Sequence, residues 1–128
     1  MTTFNITFAG SFSTPPYTGQ PDCPVPINST IQYTRKSIHR YELAGAGTQA
    51  VDLSSLPSTG AKMLVVQVDP DASPAAAPIN LRINSGTDDW EIDTGGFLAH
   101  GSPEPVVGIT TLDIIHTADV KVWIWAFG

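Results

Sequence analysis

The sequence predicts an all-β chain, folded as an antiparallel β-sandwich of jelly-roll type. Three observations carry that expectation. Charged residues make up only 14% of the chain, against roughly 25% in typical soluble domains; Thr, Ser, Asn, Gly and Pro, the residues of strand surfaces and turns, fill the difference. Short runs with strand periodicity, roughly eight or nine of them, recur at about 8–12-residue spacing between turn signals. No apolar run has helical period over a convincing length. Connections this short imply antiparallel pairing.

Taken in order, Thr3 to Phe8 alternates, with Phe4, Ile6 and Phe8 on one face and Thr3, Asn5 and Thr7 on the other, which predicts a first strand. Ser13 to Pro26, STPPYTGQPDCPVP, holds five prolines. Proline has no N–H for a ladder, so the stretch reads as an extended arm on another surface or as a long exposed loop. Asn28 to Leu43 resumes strand character through Ile31, Tyr33, Ile38, Tyr41 and Leu43. Arg35, Lys36, His39 and Arg40 interrupt it, so a hairpin or a bulged long strand is expected. A short helix around Ser37 is weighed and set aside on the β-rich context. Ala44 to Gly47 is a turn, Val51 to Leu53 a short strand and Pro57 to Gly60 a turn.

Ala61 to Val68, AKMLVVQV, is nearly continuous apolar and is expected at the centre of a sheet. Asp69 to Pro78 is a loop. Ile79 to Asn84 alternates, Ser85 to Asp89 turns, and Trp90 and Ile92 mark another strand. Gly95 and Gly96 permit a bulge or turn before Phe97, Leu98 and Ala99, and Gly101 to Pro105 is a loop. The stretch from Gly108, GITTLDIIHTADVKVWIWAFG, reads as a terminal hairpin joined at His116-Thr117-Ala118-Asp119. Its second strand is apolar on both faces: Val120, Val122, Ile124 and Ala126 on one, Trp123, Trp125 and Phe127 beside Lys121 on the other. Such a strand expects cover on both faces.

A length of 128 residues suits one domain, residues 1–128, with the proline-rich arm or loop at 13–26. The net charge is −6 with six basic residues. That argues against a nucleic-acid partner, since phosphate backbones need Lys and Arg. The single cysteine, Cys23, permits no internal disulfide and fits synthesis in a reducing compartment. MTTFNITFAGSF lacks a basic n-region and an apolar h-region, so no signal peptide is expected, and no run approaches the ~20 apolar residues of a membrane span. Asn5-Ile6-Thr7 and Asn28-Ser29-Thr30 match glycosylation acceptors, but without secretion they read as ordinary strand and turn residues.

Residues with chemistry give no catalytic pattern. No G-x-S-x-G elbow occurs. Cys23, between Asp22 and Pro24, has no histidine near it in sequence. His39, His100 and His116 share no zinc spacing, and His116 is expected to cap the final hairpin. Asp69, Asp71, Asp88, Asp89, Glu91 and Asp93 are half of the twelve acids. Asp69, Asp71, Asp88 and Asp89 are weighed as calcium ligands against plain turn residues, and no pair of carboxylates is singled out for glycoside hydrolysis. No catalytic residue, metal ligand or cofactor is expected.

Charge asymmetry is the more useful pattern. Arg35, Lys36 and Arg40 are half of the basic residues. Such a patch could meet an acidic patch containing Asp88 and Asp89 on a neighbouring subunit, a heterologous contact that closes into rings or extends into arrays. Scattered solvated charge is the plainer alternative. Trp90, Trp123 and Trp125 could form a sugar platform, and Trp123 and Trp125 share a face; core or interface is the commoner use of such residues.

From about Tyr41 onward the chain resembles a family of small bacteriophage virion proteins with β-sandwich folds. The resembling pieces are YELAGAGTQAVDLSSLPSTGAKMLVVQVD, NLRINSG, DTGGFLAHGS and GITTLDIIHTADVKVWIWAFG, roughly two-thirds of the chain. The resemblance implies a structural, non-enzymatic subunit of a phage particle: a capsid decoration (cement) protein, with a tail or neck component as the alternative. It implies virion proteins such as the major capsid protein as partners, a homo-oligomer with a trimer favoured, no nucleic acid or membrane, and synthesis in the host cytoplasm. A carbohydrate-binding module used in host attachment is the second class. Arg35, Lys36, Arg40, Asp88, Asp89, Trp123 and Trp125 are the expected interface residues.

Overall fold

The structure, a computed structural model, describes residues 2–8, 27–70, 77–102 and 108–128. The expected arm at 13–26 lies outside the described residues, as do Cys23 and Asp71. Among the described residues there is no helix. The strands are β1 (Thr2–Phe8), β2 (Ile27–Tyr33), β3 (Lys36–Leu43), β4 (Gly47–Ala50), β5 (Met63–Val68), β6 (Ile79–Ile83), β7 (Asp88–Ile92), β8 (Phe97–Gly101), β9 (Leu112–His116) and β10 (Val120–Phe127).

Strands β3 to β10 form two four-stranded sheets, ordered β3-β10-β5-β8 and β4-β9-β6-β7, while β1 pairs with β2. Every pairing is antiparallel. The pairings nest, β3 with β10, β4 with β9, β5 with β8 and β6 with β7. The run β3–β10 is thus one long hairpin whose two arms pass together from sheet to sheet.

Alternation of side chains puts one apolar set of each strand inward. Leu64, Val66 and Val68 of β5 and Val122, Ile124 and Ala126 of β10 join Ile79 and Leu81 of β6, Ile92 of β7 and Leu112 and Ile114 of β9 in one core. Each fully buried Val, Leu or Ile contributes about 1.5–3 kcal/mol, so this set holds the two sheets together. The sequence places Ala61–Val68 centrally, and β5 does lie between β10 and β8.

The outward face of β10 is covered at one end by a second, smaller core. Phe127 packs with Met63 and Ile31, and Tyr33, Val65, Ala99 and Trp125 border them. Ile31 and Tyr33 come from β2. The Tyr33 and Phe127 rings meet edge to face, with centroids 4.9 Å apart and planes at 61°. The β1–β2 hairpin therefore supplies the second cover that a two-sided strand requires.

Two expected hairpins are corrected. β9 and β10 do not pair: β9 lies between β4 and β6, and β10 between β3 and β5. Leu112 and Ile114 of one, and Val122 and Ile124 of the other, enter the shared core from different sheets, so the link at 117–119 steps between sheets. His116 caps no hairpin there. Its Nδ1 lies 2.7 Å from the Gly45 carbonyl, and Asp119 Oδ1 accepts the Gly45 N–H at 2.7 Å. The β3–β4 and β9–β10 links, both stepping between sheets, are tied together at Gly45, whose φ of +63° suits glycine. The Asn28–Leu43 stretch is likewise neither a hairpin nor one bulged strand. It splits into β2, paired with β1, and β3, paired with β10; at the split the N–H groups of Thr34 and Arg35 both donate to the Gly128 carbonyl. Val51–Leu53 forms no strand, and the short strand is Gly47–Ala50 instead.

The β6–β7 turn carries left-handed backbone at two non-glycine residues, Asn84 (φ 52°) and Ser85 (φ 57°), closed by the Gly86 N–H to the Ile83 carbonyl at 3.0 Å. Positive φ at both central positions is the type I′ pattern of tight hairpins. Asn84 is held there by its own side chain. Its Oδ1 accepts the Thr110 N–H at 2.8 Å and its Nδ2 donates to the Gly108 carbonyl at 3.0 Å.

Phe127→Ala is expected to destabilise the protein by about 3–5 kcal/mol, the usual cost of deleting a buried aromatic ring. Amide exchange should rise first in β1 and β2, whereas a loss of protection spread evenly over both large sheets would contradict the covering role of the hairpin.

Candidate functional site

The register of the β3-β10-β5-β8 sheet decides which outward side chains are neighbours. Trp123 lies between Arg40 of β3 and Gln67 of β5, and Gln67 lies opposite Phe97 of β8. One row along, Trp125 lies between Ile38 and Val65, with Ala99 beyond Val65. In the next row Phe127 and Met63 are already under the β1–β2 hairpin. The outward face thus has a covered end and an open end. On the open end Ile38 is 45% exposed and Phe97 63% exposed, although both are large apolar residues.

The two tryptophans are stacked, with ring centroids 5.7 Å apart and planes 12° from parallel. The Arg40 guanidinium carbon sits 5.3 Å from the Trp123 ring centroid, within cation–π range. Arg40 also meets Glu42 at 2.6 Å and Asp69 at 3.6 Å. These pairs are solvent-exposed, so each is worth at most about 1 kcal/mol. Their effect is to hold the Arg40 guanidinium beside Trp123. Beyond them an open cleft of about 580 Å³ is bordered by Glu42, Asp69, Pro70, Asp119 and Lys121.

Of the expected interface residues, Arg40, Trp123 and Trp125 fall together on this face. Arg35 and Lys36 are exposed at the start of β3. Asp88 and Asp89 belong to β7, on the edge of the other sheet, and their side chains lie outside what is described. Trp90, 48% exposed, is also on β7 and takes no part in the tryptophan stack. Ile38, Val65, Gln67 and Phe97 complete the face and were not singled out in the sequence. Each belongs to a strand with an unremarkable alternation; only the cross-strand register makes them neighbours.

A second cluster lies on the inward side of β3. Ser37 Oγ is 2.8 Å from His39 Nε2, and both atoms converge on the Asp52 carbonyl, at 2.7 and 2.8 Å. The grouping of Ser, His and Asp invites a nucleophilic reading, but the hydrogen bonds oppose it. All three contacts are satisfied only when Ser37 donates to the carbonyl and Nε2–H is shared between the carbonyl and Ser37 Oγ. Nε2 then carries a proton and is no base for Ser37. The Asp52 carboxylate faces Ser54 instead, with the Ser54 N–H at 2.9 Å from Oδ1. His39 is stacked on Tyr41, with centroids 5.6 Å apart, and the Tyr41 hydroxyl accepts the Asp52 N–H at 3.3 Å. The cluster fastens the 51–55 segment to β3. Among the described residues no three His, Cys, Asp or Glu side chains gather as metal ligands, and no helix is long and apolar enough to cross a membrane.

Comparison with protein-family models, with curated proteins and with solved structures found no match to this chain.

The Asp52 carboxyl is held below the usual carboxylate range, first by hydrogen bonds from the Ser54 side chain and backbone and then by nearby His39. A depressed carboxyl stabilises the fold above its ordinary value and loses that contribution as pH falls through the lowered one. Ser54→Ala should raise the Asp52 value toward the ordinary range. An NMR titration of the Asp52 carboxyl carbon that is unmoved by the substitution would assign the depression elsewhere.

Proposed function

We propose that the protein is a non-catalytic structural subunit of a bacteriophage particle, a capsid decoration protein that docks on other virion proteins through the open end of its β3-β10-β5-β8 face. The observation that carries this reading is the row Arg40–Trp123–Gln67–Phe97 beside the row Ile38–Trp125–Val65–Ala99. Aromatic residues with a flanking arginine, on a sheet face with a charged border, have the composition of a protein–protein hot spot. The nested strand order supports a finer reading of the fold as a jelly-roll sandwich of β3 to β10, an architecture of viral capsid and lectin domains alike. The resemblance of the sequence from Tyr41 onward favours the virion, with a tail or neck position as the near alternative.

A carbohydrate-binding module used in host attachment is the second reading. The stacked Trp123 and Trp125 beside Arg40 favour it, since aromatic rings and a fixed hydrogen-bond donor suit a sugar ring.

The test is made on purified particles of the phage that encodes the chain. Antibody against the protein should label them, and labelled protein should rebind particles stripped of it. Trp123→Ala should weaken rebinding about 30-fold, the effect of losing a hot spot of about 2 kcal/mol, and Phe97→Asp should weaken it likewise. Protein abundant in the lysate but absent from particles would overturn the reading, and glycan binding abolished by Trp123→Ala would install the second.

A further inference from the structure

The β3 edge carries a charge pattern complementary to itself. β3 is the outermost strand of its sheet and eight residues long, with an unbroken register against β10. The other edge strands of the two four-stranded sheets are blunted in the usual ways. β4 has four residues and β8 five. β7 is rich in acids (Asp88, Asp89, Glu91) and sits beside a register shift in β6. Long open edges invite a further strand.

The hydrogen-bond phase of that edge is fixed. Arg35 and Gly128 exchange both backbone hydrogen bonds, at 3.0 Å each. Antiparallel ladders alternate, so the odd-numbered residues of β3 bond β10, and Ile38, Arg40 and Glu42 turn their N–H and C=O groups to the open side. Lys36 does so too, with its carbonyl also accepting the Ser55 hydroxyl at 3.2 Å. The side chains of these same four residues stand on the outward face, and all four are exposed.

We propose that β3 pairs antiparallel with β3 of a second copy of this chain, in the register centred on His39. In that register Lys36 lies opposite the partner's Glu42, Ile38 opposite the partner's Arg40, and the same two rungs repeat by symmetry. Every rung joins residues whose backbone groups face the open side. Moving the centre to Arg40 sets two Arg40 side chains opposite each other, and moving it to Ile38 sets Lys36 opposite the partner's Arg40; both registers place like charges together. The central His39 points inward, its ring held on its own Asp52 carbonyl. The pairing is isologous and closes at two subunits. It joins two sheets into one of eight strands and brings two open aromatic faces side by side. It stands or falls independently of the particle reading.

Sedimentation of the full chain over a concentration series tests it, with Lys36→Glu, Glu42→Lys and the double exchange. The wild type should reach a dimer. Each single substitution places like charges on both outer rungs and should weaken the dimer about tenfold. The double exchange should restore it, and so should mixing the two single variants, because each then supplies the charge the other lacks. Circular dichroism checks that each exposed variant is folded. A wild type that remains monomeric, or assembles as a trimer, overturns the proposal. So does a dimer indifferent to the single substitutions, or one that mixing fails to rescue.

Discussion

The need of β10 for cover on both faces organises this molecule. A strand with Val122, Ile124 and Ala126 on one side and Trp123, Trp125 and Phe127 on the other loses free energy wherever either side is left to water. Its inner side closes the core shared by the two large sheets. Its outer side is met at Phe127 by Ile31 and Tyr33 of the β1–β2 hairpin. That cover stops after one row. Trp125 is half-buried at its margin, and Trp123 is left leaning on Arg40. The candidate interaction face is therefore the remainder of a packing problem that the chain solves only in part with its own residues.

Much of this was legible in the sequence because alternation is a local property. The strands around Phe4, Val66, Leu81 and Val122 follow from their own side chains, and the continuous apolar run at Met63–Val68 announces a central position. Pairing is not local. The link His116–Asp119 is as short and polar as a hairpin loop, and nothing in its four residues says whether the next strand returns beside the last or crosses to the other sheet. The split at Thr34–Arg35 has the same ambiguity, resolved by two N–H groups that reach Gly128. The candidate site divides along the same line. Trp123, Trp125 and Arg40 stand out by type, whereas Ile38 and Phe97 matter only through the rungs they share with them.

Polar side chains do a different job here from the one their grouping suggests. Ser37, His39 and Asp52 come together, yet their hydrogen bonds converge on a backbone carbonyl and consume the proton-accepting capacity a catalyst would need. Asn84 holds a left-handed turn while gathering the Gly108–Thr110 segment, and His116 and Asp119 grip the two sides of Gly45. Each fixes a connection between strands, the part of a β fold that apolar burial alone specifies least.

The nested order also sets the kinetics of assembly. β10 lies between β3 and β5 but follows both in the chain, so its sheet has an empty middle until β10 is in place. Joining β3 to β10 closes a loop that contains all six intervening strands, and the entropy of that closure must be met before the contacts that reward it exist. Pairing of this kind is non-local and slow, and the interval before β10 docks leaves apolar faces and strand edges open to aggregation.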